Sequence, residues 1–151
     1  MPSVAGMTTV SRTFTVTPQP ATVIDYLQDF GHAEEWDPGT ESCTRNDSGP
    51  IKVGSSWHNV SKIAGISTEL TYTLEKLTDD TIVLVGRNET ATSTDTMTVV
   101  PAAEGGSEVT YEAVIEMKGA AKLGAPLVKV VFEKIGSDTE DDMTQVLNRL
   151  S

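Results

Sequence analysis

The fold is decided by the segment from Ala91 to Met117, which reads ATSTDTMTVVPAAEGGSEVTYEAVIEM. Threonine fills every second position from Thr92 to Thr98, and apolar or aromatic residues fill every second position from Val109 to Met117. Alternation with a period of two is typical of strands with one buried face and one face in water. A Glu-Gly-Gly turn separates the two halves, so the segment predicts an antiparallel hairpin.

Further strands precede this hairpin. The sequence predicts strands at Arg12–Thr17, Glu41–Asn46, Val53–Ile63, Ile66–Leu77, Thr81–Arg87, Ala91–Val100 and Glu108–Met117. In the fourth of these, Ile66, Leu70, Tyr72 and Leu74 are expected to share one face. A helix is predicted to open at Pro20 and to end at Gly31. A short second turn could follow over His32–Trp36, before Asp37-Pro38-Gly39 forces a bend. Short turns between consecutive strands indicate an antiparallel meander, and the fold class is α+β.

One long amphipathic segment, roughly from Ala120 to Leu150, closes the chain with apolar residues at helical spacing. Pro126 either starts the main helix or kinks one that begins near Ala120. Gly136 is either tolerated or lets the sheet approach closely; alternatively it leaves room for a ligand or a hinge. A single helix about 10 Å across cannot fill the space over a wide curved sheet. The fold is therefore expected either to enclose a cavity or to wrap tightly.

Composition limits the class of protein. The 151 residues predict a flexible tail at 1–7 and one domain at 8–151. A net charge of −11 argues against nucleic acid and anionic membrane surfaces as partners. No apolar run is long enough to span a bilayer, and no secretory signal is recognised, which favours a cytoplasmic location. Cys43 is the only cysteine, and a structural role is favoured for it.

Several short motifs occur in a characteristic order. They are Phe14-Thr-Val16, Pro20-Ala-Thr-Val-Ile24, the Trp36-Asp-Pro38 corner, Gly54-Ser-Ser-Trp57, and Gly106-Ser-Glu-Val-Thr-Tyr111 before the last helix. In this order the chain resembles the START-like helix-grip superfamily, and within it the bacterial polyketide cyclase/dehydrase and lipid-transport family. The resemblance extends from about Thr8 to Leu150. It implies a curved seven-stranded antiparallel sheet around a long C-terminal helix, short helices after the first strand, and a hydrophobic cavity.

Nine residues are predicted to line that cavity or its mouth. They are Trp57, Asn59, Leu70, Tyr72, Met97, Tyr111, Ile115, Leu127 and Val131. The two tyrosines would offer hydroxyls to the polar end of a ligand, or would serve only as core aromatics. Asp95 has the parity of Met97, so it either faces the cavity, where burial would raise its pKa, or lies near a strand end in water. The strand-end position is favoured.

The remaining polar candidates carry weaker signals. His32 and His58 are far apart in sequence and have no metal-binding spacing, so neither a metal nor a cofactor is predicted. Arg87 either binds a ligand carboxylate or pairs with an outer-face glutamate, Glu69, Glu75 or Glu112. The outer-face pair is favoured.

Three functions are compatible with these features. The favoured one is a carrier or sensor that binds a small apolar or amphipathic molecule, such as a lipid or polyketide, in the cavity. An enzyme of cyclase or dehydratase type would relay protons through Asp95, Tyr111 or His58, although no titratable pair with matched spacing is visible. A protein-interaction module would expose a large apolar patch. The sequence does not decide whether the protein converts its ligand, and it is expected to be a monomer or a homodimer.

Overall fold

The computed structural model describes residues 7–63, 65–119 and 125–150, with the backbone alone for Ile63 and for residues 125–129. Its elements are β1 (Met7–Val16), α1 (Pro20–Leu27), a 3-10 turn (Phe30–His32), α2 (Ala33–Trp36), β2 (Thr40–Arg45), β3 (Ser56–Ile63), β4 (Ile66–Leu77), β5 (Thr81–Arg87), β6 (Ala91–Pro101), β7 (Ser107–Met117) and α3 (Ala125–Asn148). The predicted α+β class, with seven strands and a long last helix, is confirmed.

The strands form one antiparallel sheet in the order β1-β7-β6-β5-β4-β3-β2. From β2 to β7 it is the predicted meander, while β1 pairs with β7 along its whole length, with Met7 opposite Glu116 and Val16 opposite Ser107. The sequence predicted that β1 begins at Arg12, but β1 begins at Met7 because of this pairing. Main-chain hydrogen bonds to β7 hold the earlier residues in an extended conformation, whatever their alternation.

Helix α3 packs against β1 and against α2. Gly136 permits its close approach to β1, because a Cβ at this position would overlap Cγ1 of Val10. Arg12 on β1 also holds α3 at this position, because its Nη2 donates to the main-chain oxygen of Glu133 at 3.0 Å and to Oγ of Ser137 at 3.3 Å. The structure therefore supports the close-approach alternative for Gly136, and it also places this glycine in the wall of the cavity described below.

An aromatic core fills the space between the sheet and the short helices. The ring of Phe30 lies 5.9 Å from that of Trp36, 6.3 Å from that of Trp57 and 4.5 Å from that of Tyr72, between ring centroids. Tyr111 packs edge-on against Trp36 with centroids 5.9 Å apart. Tyr72 and Tyr111 thus form the boundary between this core and the space beneath α3.

Two further boundaries, the end of α1 and the start of β3, differ from the prediction by more than one residue. Helix α1 ends at Leu27, before the predicted Gly31, whereas the short second turn predicted over His32–Trp36 is present as α2. Strand β3 begins at Ser56, not at Val53, because Gly54 adopts a φ of 101° that turns the chain. Ile66 has the parity of Leu74, as predicted, but its side chain is 68% exposed. It lies at the tip of the β3–β4 hairpin, which extends past the covered part of the sheet.

Candidate functional site

A cavity of about 130 Å³ lies between the inner face of the sheet and α3. The described residues that line it are Val10, Asp37, Ser61, Thr68, Leu70, Tyr72, Ala91, Ser93, Asp95, Tyr111, Ala113, Ile115, Met117, Phe132, Ile135, Gly136 and Thr139. An engineered protein cavity of about 150 Å³ holds benzene, whereas pockets for drug-sized ligands span about 300–1,000 Å³. The space therefore suits a group the size of one aromatic ring.

Asp95 forms the polar end of this cavity. Its side chain accepts a hydrogen bond from Ser93 Oγ at 3.1 Å and one from the Tyr111 hydroxyl at 3.2 Å. Ser93 and Asp95 share the inner face of β6 by parity, and Tyr111 comes from the neighbouring strand β7. The favoured prediction for Asp95, a strand end in water, was wrong: it lies in the middle of an eleven-residue strand and is only 3% exposed.

The surroundings of Asp95 change its acidity. Its pKa is raised from 3.8 to about 7, first by burial and then by the nearby charge of Asp37, while the hydrogen bonds from Ser93 and Tyr111 act in the opposite direction. Burial and the charge of Asp95 also raise the pKa of Tyr72 and that of Tyr111 well above 10.0. At neutral pH the carboxyl can therefore gain or lose a proton, while both phenols keep theirs.

Asp37 brings a second carboxyl to the cavity, from the corner between α2 and β2. Its Oδ1 accepts from the Gly39 amide at 3.0 Å and its Oδ2 accepts from Thr40 Oγ1 at 3.0 Å. Removal from water raises the pKa of Asp37, and the charge of Asp142 on α3 adds to the increase. The sequence interpretation missed this residue. Asp-Pro-Gly-Thr is a turn signal that fixes the carboxyl locally and says nothing about a cavity beside it.

Gly86 positions Tyr72. The two residues are directly opposite each other on β5 and β4, and a Cβ at Gly86 would lie 2.6 Å from Cζ of the Tyr72 ring. The ring therefore lies over the glycine and extends toward β6, where Ser93 is the residue paired with Gly86. The signal was present in the sequence, because a glycine inside an apolar strand often marks a close approach.

The predicted lining residues divide into three groups. Leu70, Tyr72, Tyr111 and Ile115 line the cavity. Trp57, Asn59 and Met97 are buried outside it: Trp57 Nε1 donates to Asp29 at 3.2 Å, and Asn59 Nδ2 donates to Thr40 at 3.1 Å. Val131 lines a separate groove between α3 and the Pro38-Gly39 corner, beside Lys62. The side chain of Leu127 lies outside the described residues.

The other polar candidates lie away from the cavity. His58 is on the outer face of the sheet, where its Nε2 is 2.7 Å from Glu69 Oε1, so it does not reach the cavity as a proton relay would. Arg87 Nη1 is 3.0 Å from Glu75 Oε2, which confirms the outer-face pair. Burial raises the pKa of the Cys43 thiol to about 12, in keeping with a structural role.

Neither a metal-binding group nor a membrane-spanning helix is found in the described part of the chain. Among residues 7–63, 65–119 and 125–150, no three His, Cys, Asp or Glu side chains are grouped so that they could hold a metal ion. Within the same ranges, no helix has the length and apolar character needed to cross a membrane.

Comparisons with known proteins agree with this architecture. The model of the family described as polyketide cyclase/dehydrase and lipid transport matches residues 7–151. No curated protein matches the chain.

Three solved structures illustrate the likeness of fold. A START superfamily protein from Mycobacterium smegmatis is 15% identical, with 95% of this chain and 99% of that chain covered and a TM-score of 0.78. The Zhui aromatase/cyclase from Streptomyces sp. R1128 is 14% identical, with 95% and 94% covered and a TM-score of 0.77. A protein from Thermus thermophilus is 13% identical, with 96% and 99% covered and a TM-score of 0.76. At these identities the likeness shows the fold alone.

Proposed function

Because the chain belongs to the polyketide cyclase/dehydrase and lipid-transport family, we propose that it is a carrier or sensor that binds a small apolar or amphipathic molecule between the sheet and α3. The observation that carries this proposal is the cavity itself. Its walls are mainly apolar, and Ser93 and Tyr111 converge on Asp95 in one hydrogen-bonded polar group. An apolar wall with a few converging polar groups is the usual composition of a small-molecule site.

The apolar walls set the strength of binding. A ring that buries about 150 Å² would gain about 4 kcal/mol at about 25 cal/mol per Å². Even before the costs of association, this corresponds to a dissociation constant of about 1 mM. A ligand bound with micromolar affinity must therefore add polar contacts at Asp95 or extend beyond the cavity.

An enzyme of cyclase or dehydratase type is the second candidate. The observation that favours it is the pKa of Asp95, about 7, beside the Tyr111 hydroxyl. A general acid or base works best when its pKa lies near the working pH. In this role Asp95 would exchange a proton with the bound molecule. Asp95→Asn would then stop turnover and retain binding, whereas a carrier would release its ligand chemically unchanged.

Binding is tested with toluene, a neutral probe of one ring, followed by heteronuclear NMR. Mass spectrometry of the purified protein, native and then solvent-extracted, is run in parallel to identify any molecule that co-purifies. We expect saturable toluene shifts at residues that line the cavity. A protein that carries no small molecule and shows no saturable shift would refute the proposed function.

Two neighbouring positions of β7 supply a matched pair of variants. Ala113 lines the cavity, whereas Val114 has the opposite parity and points to the outer face. Ala113→Leu should weaken toluene binding at least tenfold, because its three added carbons occupy the cavity, and Val114→Leu should leave it unchanged. Equal affinity in both variants would place the ligand elsewhere.

A further inference from the structure

The polar end of the cavity has acidic side chains but no basic ones among the described lining residues. Two carboxyl groups, those of Asp37 and Asp95, face it, and none of the described lining residues is Lys, Arg or His. On the opposite wall, α3 contributes Phe132, Ile135, Gly136 and Thr139, which carry neither acid nor base. Buried carboxylates are ordinarily paired with a cation, because an unpaired buried charge is costly.

The hydrogen bonds at these two carboxyl groups likewise leave more acceptors than donors. The Ser93 and Tyr111 hydroxyls both donate to Asp95, and the Gly39 amide and Thr40 hydroxyl both donate to Asp37. An ionised carboxylate has about four acceptor sites, and each of these two is given two donors. Acceptor capacity is therefore left over after these four donors have been counted.

We propose that the ligand carries a protonated amine on an apolar group the size of one ring, and that Asp95, with support from Asp37, binds the ammonium group. This inference rests on the proposed function, since it names the chemical class that the same cavity takes. An ammonium supplies both the missing donors and the missing positive charge. A hydroxyl would supply a donor alone, and a carboxylate would add a third negative charge to the site.

The test uses three probes that share one ring and differ in charge: benzylamine, benzyl alcohol and benzoate. Their affinities are measured by NMR titration at pH 8. We expect benzylamine to bind at least tenfold more tightly than benzyl alcohol, and benzoate to bind more weakly than either. In Asp95→Asn the ratio of the benzylamine affinity to the benzyl alcohol affinity should fall to about threefold or less, because an uncharged amide does not attract the ammonium group.

The effect of pH gives an independent readout in the unmodified protein. The groups that face Asp95 are Asp37 from the α2–β2 corner, Tyr111 from β7, and Tyr72 from β4. Both phenols stay protonated below pH 9, and an aliphatic amine stays charged. Lowering the pH from 8 to 5.5 protonates Asp95, so benzylamine should lose affinity at least fivefold while benzyl alcohol does not.

The possible outcomes separate the two proposals. Equal binding of benzylamine and benzyl alcohol, or tighter binding of benzoate, would overturn the amine inference and leave the proposed function standing. Failure of all three probes and of toluene, in a protein that carries no co-purifying small molecule, would overturn both. Because the charge series and the pH series use the unmodified chain, a folding defect in Asp95→Asn would not rescue the inference.

Discussion

Replacing Asp95 with Asn should stabilise the protein at pH 8 and destabilise it slightly at pH 4. Since the folded pKa of about 7 lies above the ordinary 3.8, the folded state holds a proton that the unfolded state releases. The stability of the unmodified protein therefore falls as the pH rises from 3.8 to about 7, and the loss is complete above that value. Over this interval 1.36 kcal/mol per pH unit amounts to about 4 kcal/mol.

Asparagine removes this titration but can accept from only one of Ser93 and Tyr111 through its single oxygen, which costs about 1 kcal/mol. The variant should thus be about 1 kcal/mol less stable than the unmodified protein at pH 4 and about 3 kcal/mol more stable at pH 8.

The assay is urea unfolding of both proteins at each pH from 4 to 8. Asp79→Asn, at an exposed position in the β4–β5 turn, is the control and should change stability by less than about 0.5 kcal/mol. Because other carboxyls titrate in both proteins, the informative quantity is the difference between the two curves. Parallel curves for Asp95→Asn and the unmodified protein would refute a buried carboxyl with a raised pKa.

Two further predictions concern the glycines. Ala in place of a helical Gly normally stabilises a protein by about 1 kcal/mol, but Gly136→Ala should destabilise this one by about 1–3 kcal/mol because the added Cβ overlaps Val10. Denaturant unfolding measures the change, and in a Val10→Ala background the same substitution should be stabilising. A single variant as stable as the unmodified protein would contradict the close approach of α3 to β1. Gly86→Ala should displace the Tyr72 ring, lowering stability by about 1–3 kcal/mol and weakening toluene binding. In a Tyr72→Ala background, Gly86→Ala should change neither stability nor toluene binding. A loss of stability that persists in that background would exclude the Tyr72 ring as its cause.

Most of the sheet was predictable from the sequence because alternation reports directly which face of a strand is buried. The bounds of β4 and β5 matched the prediction to the residue, and those of β2, β6 and β7 to within one. The exposure of Ile66 could not be predicted in this way, because parity identifies a face and not how far along the strand that face is covered. The start of β1 was not predicted either, because that part of the strand depends on pairing with β7, which is distant in sequence.

The cavity was predictable in kind but not in its polar groups. Parity placed Tyr72, Tyr111 and Ile115 on the inner face, and the structure puts all three in the wall. The role of Asp37 depends on how the α2–β2 corner packs beside α3, which no local pattern encodes. The acidity of Asp95 likewise depends on burial by several elements at once, so its position in the alternation could not decide between cavity and solvent.

The place of β1 in the sheet also bears on how the chain folds. The other pairs among the described strands join consecutive strands, whereas β1 and β7 bring together Met7 and Glu116, which are 109 positions apart. Closing so long a loop is entropically unfavourable until the partner surface exists, so the hairpins from β2 to β7 should form before β1 docks. Helix α3 packs on β1 and should follow it. The cavity is then a product of the last folding step, and local release of these two segments would widen access to it while most of the sheet stays intact.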